Sequence, residues 1–227
     1  MKHLLSALAL ISIATSARAQ VGHLPENSPY RDVETRQEFT FFGGNYSAGR
    51  DLIGIAPRGG RMYGLRYEVH VGGPALLMAR WAHVNSERFP IDPTKSGAAS
   101  KLPRQAVGLN LLDADLVLNL TGQKSYHHFV PVVNLGAGIA SCSCTVKPDP
   151  YTFGTAFAFS YGAGLRYVPG GRFQLRADWG NYLYQLKYPT AYYLNNGSGS
   201  AVPSKQARSF WKNNRALTLG ASLLFFR

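Results

Sequence analysis

Arg172-Phe-Gln-Leu-Arg-Ala-Asp-Trp179 alternates without a fault. In an extended strand Phe173, Leu175, Ala177 and Trp179 share one face, and Arg172, Gln174, Arg176 and Asp178 share the other. Such a strand has two readings. In a soluble barrel or sandwich the apolar face is the core and the charges meet water. In a membrane barrel the apolar face meets lipid and the charges line a lumen. The neighbouring runs decide by length. Met62 to Gly72, Phe157 to Tyr167 and Asn214 to Phe226 alternate over spans that suit a tilted transmembrane strand of roughly 9–11 residues, beyond the usual globular strand of about 5–6. Their polar faces mix Arg66, Glu68, His70, Arg166, Thr218 and Ser222 with glycine, a composition that suits a narrow lumen in which charges must pair.

Eight such strands begin near Gln37, Arg61, Ala75, Arg104, His127, Ala156, Arg172 and Asn214. Their connections run long, short, long, short, long, short, long. Gly72-Gly73-Pro74, Thr121 to Tyr126 and Pro169-Gly170-Gly171 are the tight joints; Ser47–Gly59, Glu87–Pro103, Ser141–Gly154 and Pro189–Asn213 are the long ones. Every second connection therefore falls at the same end of the sheet. This predicts an all-β fold, an eight-stranded antiparallel up-and-down transmembrane β-barrel with short periplasmic turns and four longer extracellular loops. Tyr63, Tyr67, Trp81, Tyr151, Tyr161, Tyr167, Trp179, Tyr182, Tyr184 and Trp211 are expected in girdles at the two interfaces. Two strands change apolar parity, between Leu111 and Leu112 and at Gly180. A bulge or a loop end is expected at the first, and Tyr182, Tyr184 and Leu186 become the apolar set after the second. Arg80 is placed inward, with Trp81 toward lipid.

Residues 1–19 read as a secretory signal peptide: Lys2, an apolar run from Leu4 to Ala14, and Ala17-Arg18-Ala19 before a cleavage expected after Ala19. Residues 20–36 read as a polar, periplasmic N-terminal extension, and 37–227 as the barrel domain in the cell outer membrane. The chain carries 24 Lys and Arg against 12 Asp and Glu, a formal net charge of +12. Export and the lack of a helix-borne basic cluster argue against nucleic acid. The bases gather instead in the long joints, at Arg50, Arg58, Arg88, Lys95, Lys101, Lys147, Lys205, Arg208 and Lys212. Facing outward, they would meet the anionic head groups of outer-membrane lipid, lipopolysaccharide in particular.

The leader, the eight strands and the terminal run Leu217-Thr-Leu-Gly-Ala-Ser-Leu-Leu-Phe-Phe-Arg227 resemble the small OmpA/OmpX-type outer-membrane barrels of Gram-negative bacteria. Leu135-Gly-Ala-Gly-Ile139 and Tyr161-Gly-Ala-Gly-Leu165 look like that family's fifth and sixth strands. The resemblance covers nearly the whole chain after the leader and implies a monomer delivered to the barrel assembly machinery. Phe226 would be the terminal aromatic of the assembly signal, although Arg227 follows it. No peptidoglycan-binding domain is expected after the barrel.

Chemistry-bearing clusters are few. Arg66, Glu68, Asp113, Asp115, Arg166, Arg176 and Asp178 are expected to form a paired polar network in the lumen, with Asp113 and Asp115 seated on Arg66, Arg166 or Arg176. An acid pair activating water is the rival reading of Asp113 and Asp115. His83, Ser86 and Glu87 contain the groups of a hydrolase, but His83 and Ser86 are three apart and point to opposite faces of a strand. His127 and His128 also diverge, and neither a metal nor a cofactor is expected. Cys142 and Cys144 would form a strained disulfide in the exported compartment, with free thiols or a metal pair as alternatives. The expected role is structural, or binding and adhesive through the long loops, with no general pore, because an eight-stranded interior is filled by side chains. The last loop, with Tyr192, Tyr193, Asn195, Asn196, Gly197 and Lys205, is its expected contact surface. Two other classes compete: a soluble secreted lipocalin-like ligand carrier, and an outer-membrane lipid-modifying hydrolase.

Overall fold

The computed structural model of the chain describes residues 28–33, 36–49, 51–95, 97–194, 201–202, 205 and 207–225. The leader with its cleavage after Ala19, the terminal Phe226, and Arg50, Asn195, Asn196 and Gly197 lie outside the described residues.

The strands are β1 (Tyr30–Asp32), β2 (Gln37–Ser47), β3 (Gly60–Gly72), β4 (Ala75–Arg88), β5 (Gln105–Asn119), β6 (Lys124–Tyr126), β7 (Phe129–Cys142), β8 (Gly154–Tyr167), β9 (Phe173–Lys187) and β10 (Ser209–Phe225). The eight long ones each pair antiparallel with the next in chain order, and β10 closes onto β2. Closure leaves no long strand edge to satisfy. One row of partners runs from Arg215 through Asn181, Tyr161, Leu135, Leu116, Leu77, Val69 and Gln37, and returns to β10 at Phe225, ten residues from where it began. That stagger tilts the strands by the roughly 35–45° at which a barrel closes. Connections 73–74, 120–128 and 168–172 lie at one end, and 48–59, 89–104, 143–153 and 188–208 at the other.

The two faces of the wall are sorted opposite to those of a soluble barrel. Phe41, Leu135, Phe173, Leu217 and Leu219 are each more than 60% exposed on the outside, while Arg66, Glu68, Asp115, Arg166 and Arg176 are at most 3% exposed within. An outer face this apolar exceeds what a water-facing surface carries. A lipocalin-like carrier would turn these two faces around.

Three expectations need correction. The register runs unbroken through Leu111 and Leu112 and through Gly180, so there is no bulge at either. Leu109 and Leu111 face inward on the same side as Asp113 and Asp115, and Tyr182, Tyr184 and Leu186 face inward with Asp178. What changes at these points is the lining of the lumen, from charged to apolar, and not the parity of the strand. The one shift of register lies between His70 and Gly72, at the tight turn. Second, Tyr151, Tyr182 and Tyr184 are buried, whereas Tyr63, Tyr67, Trp81, Tyr161, Tyr167, Trp179 and Trp211 are exposed. Seven of the ten expected aromatics therefore form the outer set. Third, β10 begins at Ser209, five residues before Asn214, because its pairing with β9 continues to Ser209 opposite Lys187, through a stretch where Lys212 and Asn213 interrupt the apolar alternation.

To the barrel the structure adds a short ladder, in which β1 pairs with β6 inside the connection 120–128. His127 and His128 bend the chain there at φ 47° and 71°. The His128 ring reaches the Val168 carbonyl at 2.9 Å, and the His127 ring packs edge-on to Tyr126. The two rings do not converge.

Candidate functional site

Alternation on eight strands delivers charged side chains from opposite walls into one layer of the lumen. Arg66 on β3 donates to Asp178 on β9 at 2.9 Å, and Arg176 on β9 holds Glu68 on β3 at 2.7 Å while also reaching Asp178 at 2.9 Å. Arg166 on β8 pairs with Glu38 on β2 and donates to Gln174 and Asn119. Arg80 on β4 takes Asp113 at 2.8 Å and Asp115 at 3.4 Å from the neighbouring β5. Asn134 donates to the same Asp115 oxygen as Arg80, and Ser160 donates to the other. All of these arginine and acidic residues are buried. Isolated, each charge would be strongly destabilising in such a place; hydrogen-bonded pairing is what permits it.

The seven residues read from the sequence thus lie in one layer, with different pairings from those expected. Asp113 and Asp115 sit on Arg80 rather than on Arg66, Arg166 or Arg176. Glu38 and Arg80 complete the layer. Glu38 was legible, since Glu38, Thr40 and Phe42 alternate against Phe39 and Phe41. The placement on Arg80 needed the register, in which Arg80 lies directly opposite Asp113.

Apolar side chains lie on both sides of the charged layer. Toward the short connections Leu76, Met78, Val117, Val130 and Val132 pack together. Toward the long ones Phe42, Tyr46, Met62, Val84, Leu109, Leu111, Tyr182 and Tyr184 form a larger cluster, tied by a 3.0 Å bond between the Tyr46 and Tyr184 hydroxyls. An internal cavity beside Arg66, Arg80, Asp178 and Gly180 measures about 10 Å³. Glycines make room for the charges: a Cβ on Gly136 would come within 2.1 Å of an Asp115 carboxylate oxygen, and one on Gly164 within 2.2 Å of an Asp178 oxygen. Gly180, beside the cavity, has nothing within 4 Å of such an atom.

Two further carboxylates fasten the long connections to one another. Asp149, in 143–153, accepts from Arg88 at the end of β4, from the Tyr192 hydroxyl in 188–208, and from the amides of Ile91 and Tyr151 at 3.3 and 3.0 Å. Asp51, in 48–59, accepts from the amides of Gly54 and Ile55 at 3.1 and 3.0 Å and from the Tyr188 hydroxyl at 3.2 Å, with Lys212 Nζ at 4.0 Å. Ile55, Tyr151, Tyr192 and Val202 are buried beneath this cap. Arg88 and Lys212 accordingly point inward, and Tyr192 is fully buried; the outward placement of these three is corrected. Lys95, Lys101, Lys147, Lys205 and Arg208 remain exposed, with Lys95 on Asp92 and Arg208 over the Tyr193 ring. Cys142 and Cys144 are joined by a disulfide buried in the upper apolar cluster.

Ser86 Oγ donates inward to the Arg58 carbonyl at 2.6 Å, whereas the His83 ring bonds Asn110 at 2.8 Å. No nucleophile–base contact joins them. Among the described residues no group of three or more His, Cys, Asp or Glu is arranged to hold a metal.

No protein-family model and no curated protein matches the sequence. Solved structures do. The neisserial surface protein NspA aligns with 83% of this chain and 97% of its own at 10% identity and a TM-score of 0.52. The N-terminal barrel domain of Pseudomonas aeruginosa OprF aligns with 85% of this chain and 100% of its own at 12% identity, TM-score 0.49. Ail, the attachment invasion locus protein of Yersinia pestis, solved with the heparin analogue sucrose octasulfate, aligns at 14% identity, 84% and 99% coverage and TM-score 0.44. The likeness to NspA supports the fold, a closed eight-stranded antiparallel barrel.

Two outcomes are expected. Gly164→Ala should lower unfolding stability by about 1–3 kcal/mol through overpacking against Asp178, and Gly180→Ala should leave it within about 0.5 kcal/mol; denaturant unfolding of the folded barrel compares them. Burial, with Asp149 accepting its proton, pushes the Tyr192 phenol well above its ordinary value. The closed cap therefore holds that proton more tightly than an open one. Its contribution is complete below about pH 10 and fades as pH rises beyond it. Proteolysis of 89–104, 143–153 and 188–208 should stay slow up to that pH and then accelerate. Tyr192→Phe should be cleaved faster at neutral pH and show a smaller alkaline step.

Proposed function

We propose that the chain is a monomeric outer-membrane barrel whose interior is closed to general diffusion and whose working surface is the cap of long connections, in a structural, binding or adhesive role without catalysis. The observation that carries this reading is the lumen, where ion pairs reach from wall to wall between two apolar layers and leave a cavity of about 10 Å³, about the room of a single water probe.

The orientation follows from the two ends. The tight connections suit the periplasm and the capped ones the exterior. Residues 1–19 would act as the export leader, 20–36 as a periplasmic extension, and Phe226 as the aromatic that the assembly machinery recognises. Fastening by Asp51 and Asp149 gives the exterior surface a set shape before any partner arrives, which reduces the ordering cost of binding. Lys95, Lys101, Lys147 and Lys205 make that surface basic, which draws it toward the anionic head groups of lipopolysaccharide by long-range attraction rather than through a fixed contact.

Gel migration of the membrane fraction with and without boiling should show a heat shift. Planar bilayers should show no large steady conductance; open-channel currents comparable to a general porin would refute the closed lumen. Leu219→Arg, in the middle of the apolar wall, should cost about 2–4 kcal/mol of folding stability in lipid vesicles, and Phe225→Arg, at its edge, about 0–1 kcal/mol. Equal small effects would count against the membrane assignment.

A further inference from the structure

Each guanidinium inside the barrel, those of Arg66, Arg80, Arg88, Arg166 and Arg176, sits on a carboxylate. Two others on the eight barrel strands behave differently. Arg61 follows the outward parity of Tyr63 and Leu65, and Arg215 that of Leu217 and Leu219; both are exposed on the outer wall. Among the described residues neither pairs with a carboxylate. Arg61 lies opposite Asn45 and Arg215 opposite Ser47, so the two arginines flank β2 two positions apart on one face. Asn85, opposite Arg61, and Asn213, one outward step above Arg215, extend the polar patch.

The depth of this patch sets its chemistry. Each arginine is the next outward residue beyond an apolar one, Tyr63 and Leu217. The ten-residue stagger, shared over the eight strands, places Arg215 about level with Ile139 and with Phe157 and Phe159 on the far wall, where the outside is still apolar. The apolar band is thus notched on the β10–β2–β3 side, toward the capped end. A guanidinium there can lay its stem on the wall and extend its head to the head-group level.

We propose that Arg61 and Arg215, with Asn45 and Ser47 between them, form a wall site for the phosphate groups of a phosphorylated outer-leaflet lipid. This rests on the reading of the capped end as the exterior, and it places the lipid contact on strands rather than on the loop lysines. Phosphate matches the fork of a guanidinium, which binds it bidentately, and Asn and Ser supply further donors. A second copy of the chain is disfavoured as occupant, because a two-fold contact would bring the same arginines face to face.

The test uses the full folded chain and native mass spectrometry with diphosphorylated lipid A and its dephosphorylated form as probes. The parent protein should prefer the phosphorylated lipid. R61A/R215A should bind it about tenfold or more weakly, R61K/R215K should fall between, and the loop variant K101A/K147A/K205A should stay within about twofold of the parent. The heat shift confirms that each variant folds, and R61Q/R215Q carries the same test should the alanine pair not fold. Equal binding of both lipids by the parent, retained preference in R61A/R215A, or loss confined to the loop variant would overturn the site. Absence of a heat shift in the parent protein would overturn the barrel reading itself, which the lipid titration does not probe.

Discussion

Guanidiniums in the middle of a closed sheet have no water to face. Arg66, Arg166 and Arg176 reach carboxylates on strands across the lumen, and Arg80 reaches its own neighbour. Breaking one such pair costs about 3–5 kcal/mol, against a total stability of about 5–15 kcal/mol for a domain. The pairs therefore act as constraints on register. A slip of one residue along any wall strand would turn its charges to the outside and its leucines and aromatics inward. The ten-residue stagger of the barrel and the pairing of its charges are two aspects of one arrangement.

Other features follow from that layer. Gly136 and Gly164 face the lumen where Asp115 and Asp178 need the space, and Gly180 borders the small cavity. Apolar residues close over the charges at both ends, which lowers the local dielectric and strengthens the pairs. At the capped end the same device recurs above the barrel, with Asp149 and Asp51, on separate connections, gathering Arg88 of β4 and Tyr192 and Tyr188 of 188–208. Barrel and cap are both held by carboxylates that accept from side chains on other elements.

Phe173 to Trp179 was legible because each of its faces meets a single environment along its whole length. The same test misread Leu111–Leu112 and Gly180, where the strand keeps its parity while the inside changes from charged to apolar. Period-two reading assumes one environment per face, and a layered lumen breaks that assumption. The membership of the charged layer could be read from parity, but its pairings could not, since Arg80 meets Asp113 only through the register of β4 on β5. The cap was hidden for a further reason. Asp149 stands in Pro148-Asp149-Pro150 and Asp51 in a glycine-containing connection, where no periodicity marks which side chain turns inward. Arg88 and Lys212 looked like surface bases because a charge carries no sign of burial unless its partner is known.

The account depends most on the claim that these pairs are mutually required. Glu38 and Arg166 offer the cleanest case, because removing both leaves no other charge without its partner. A double-mutant cycle with Glu38→Met and Arg166→Met, read by reversible unfolding in lipid vesicles, measures their coupling directly. Each single change should cost about 3–5 kcal/mol, and the double change should cost less than their sum by about 2 kcal/mol or more. Single changes below about 1 kcal/mol that simply add would contradict the account.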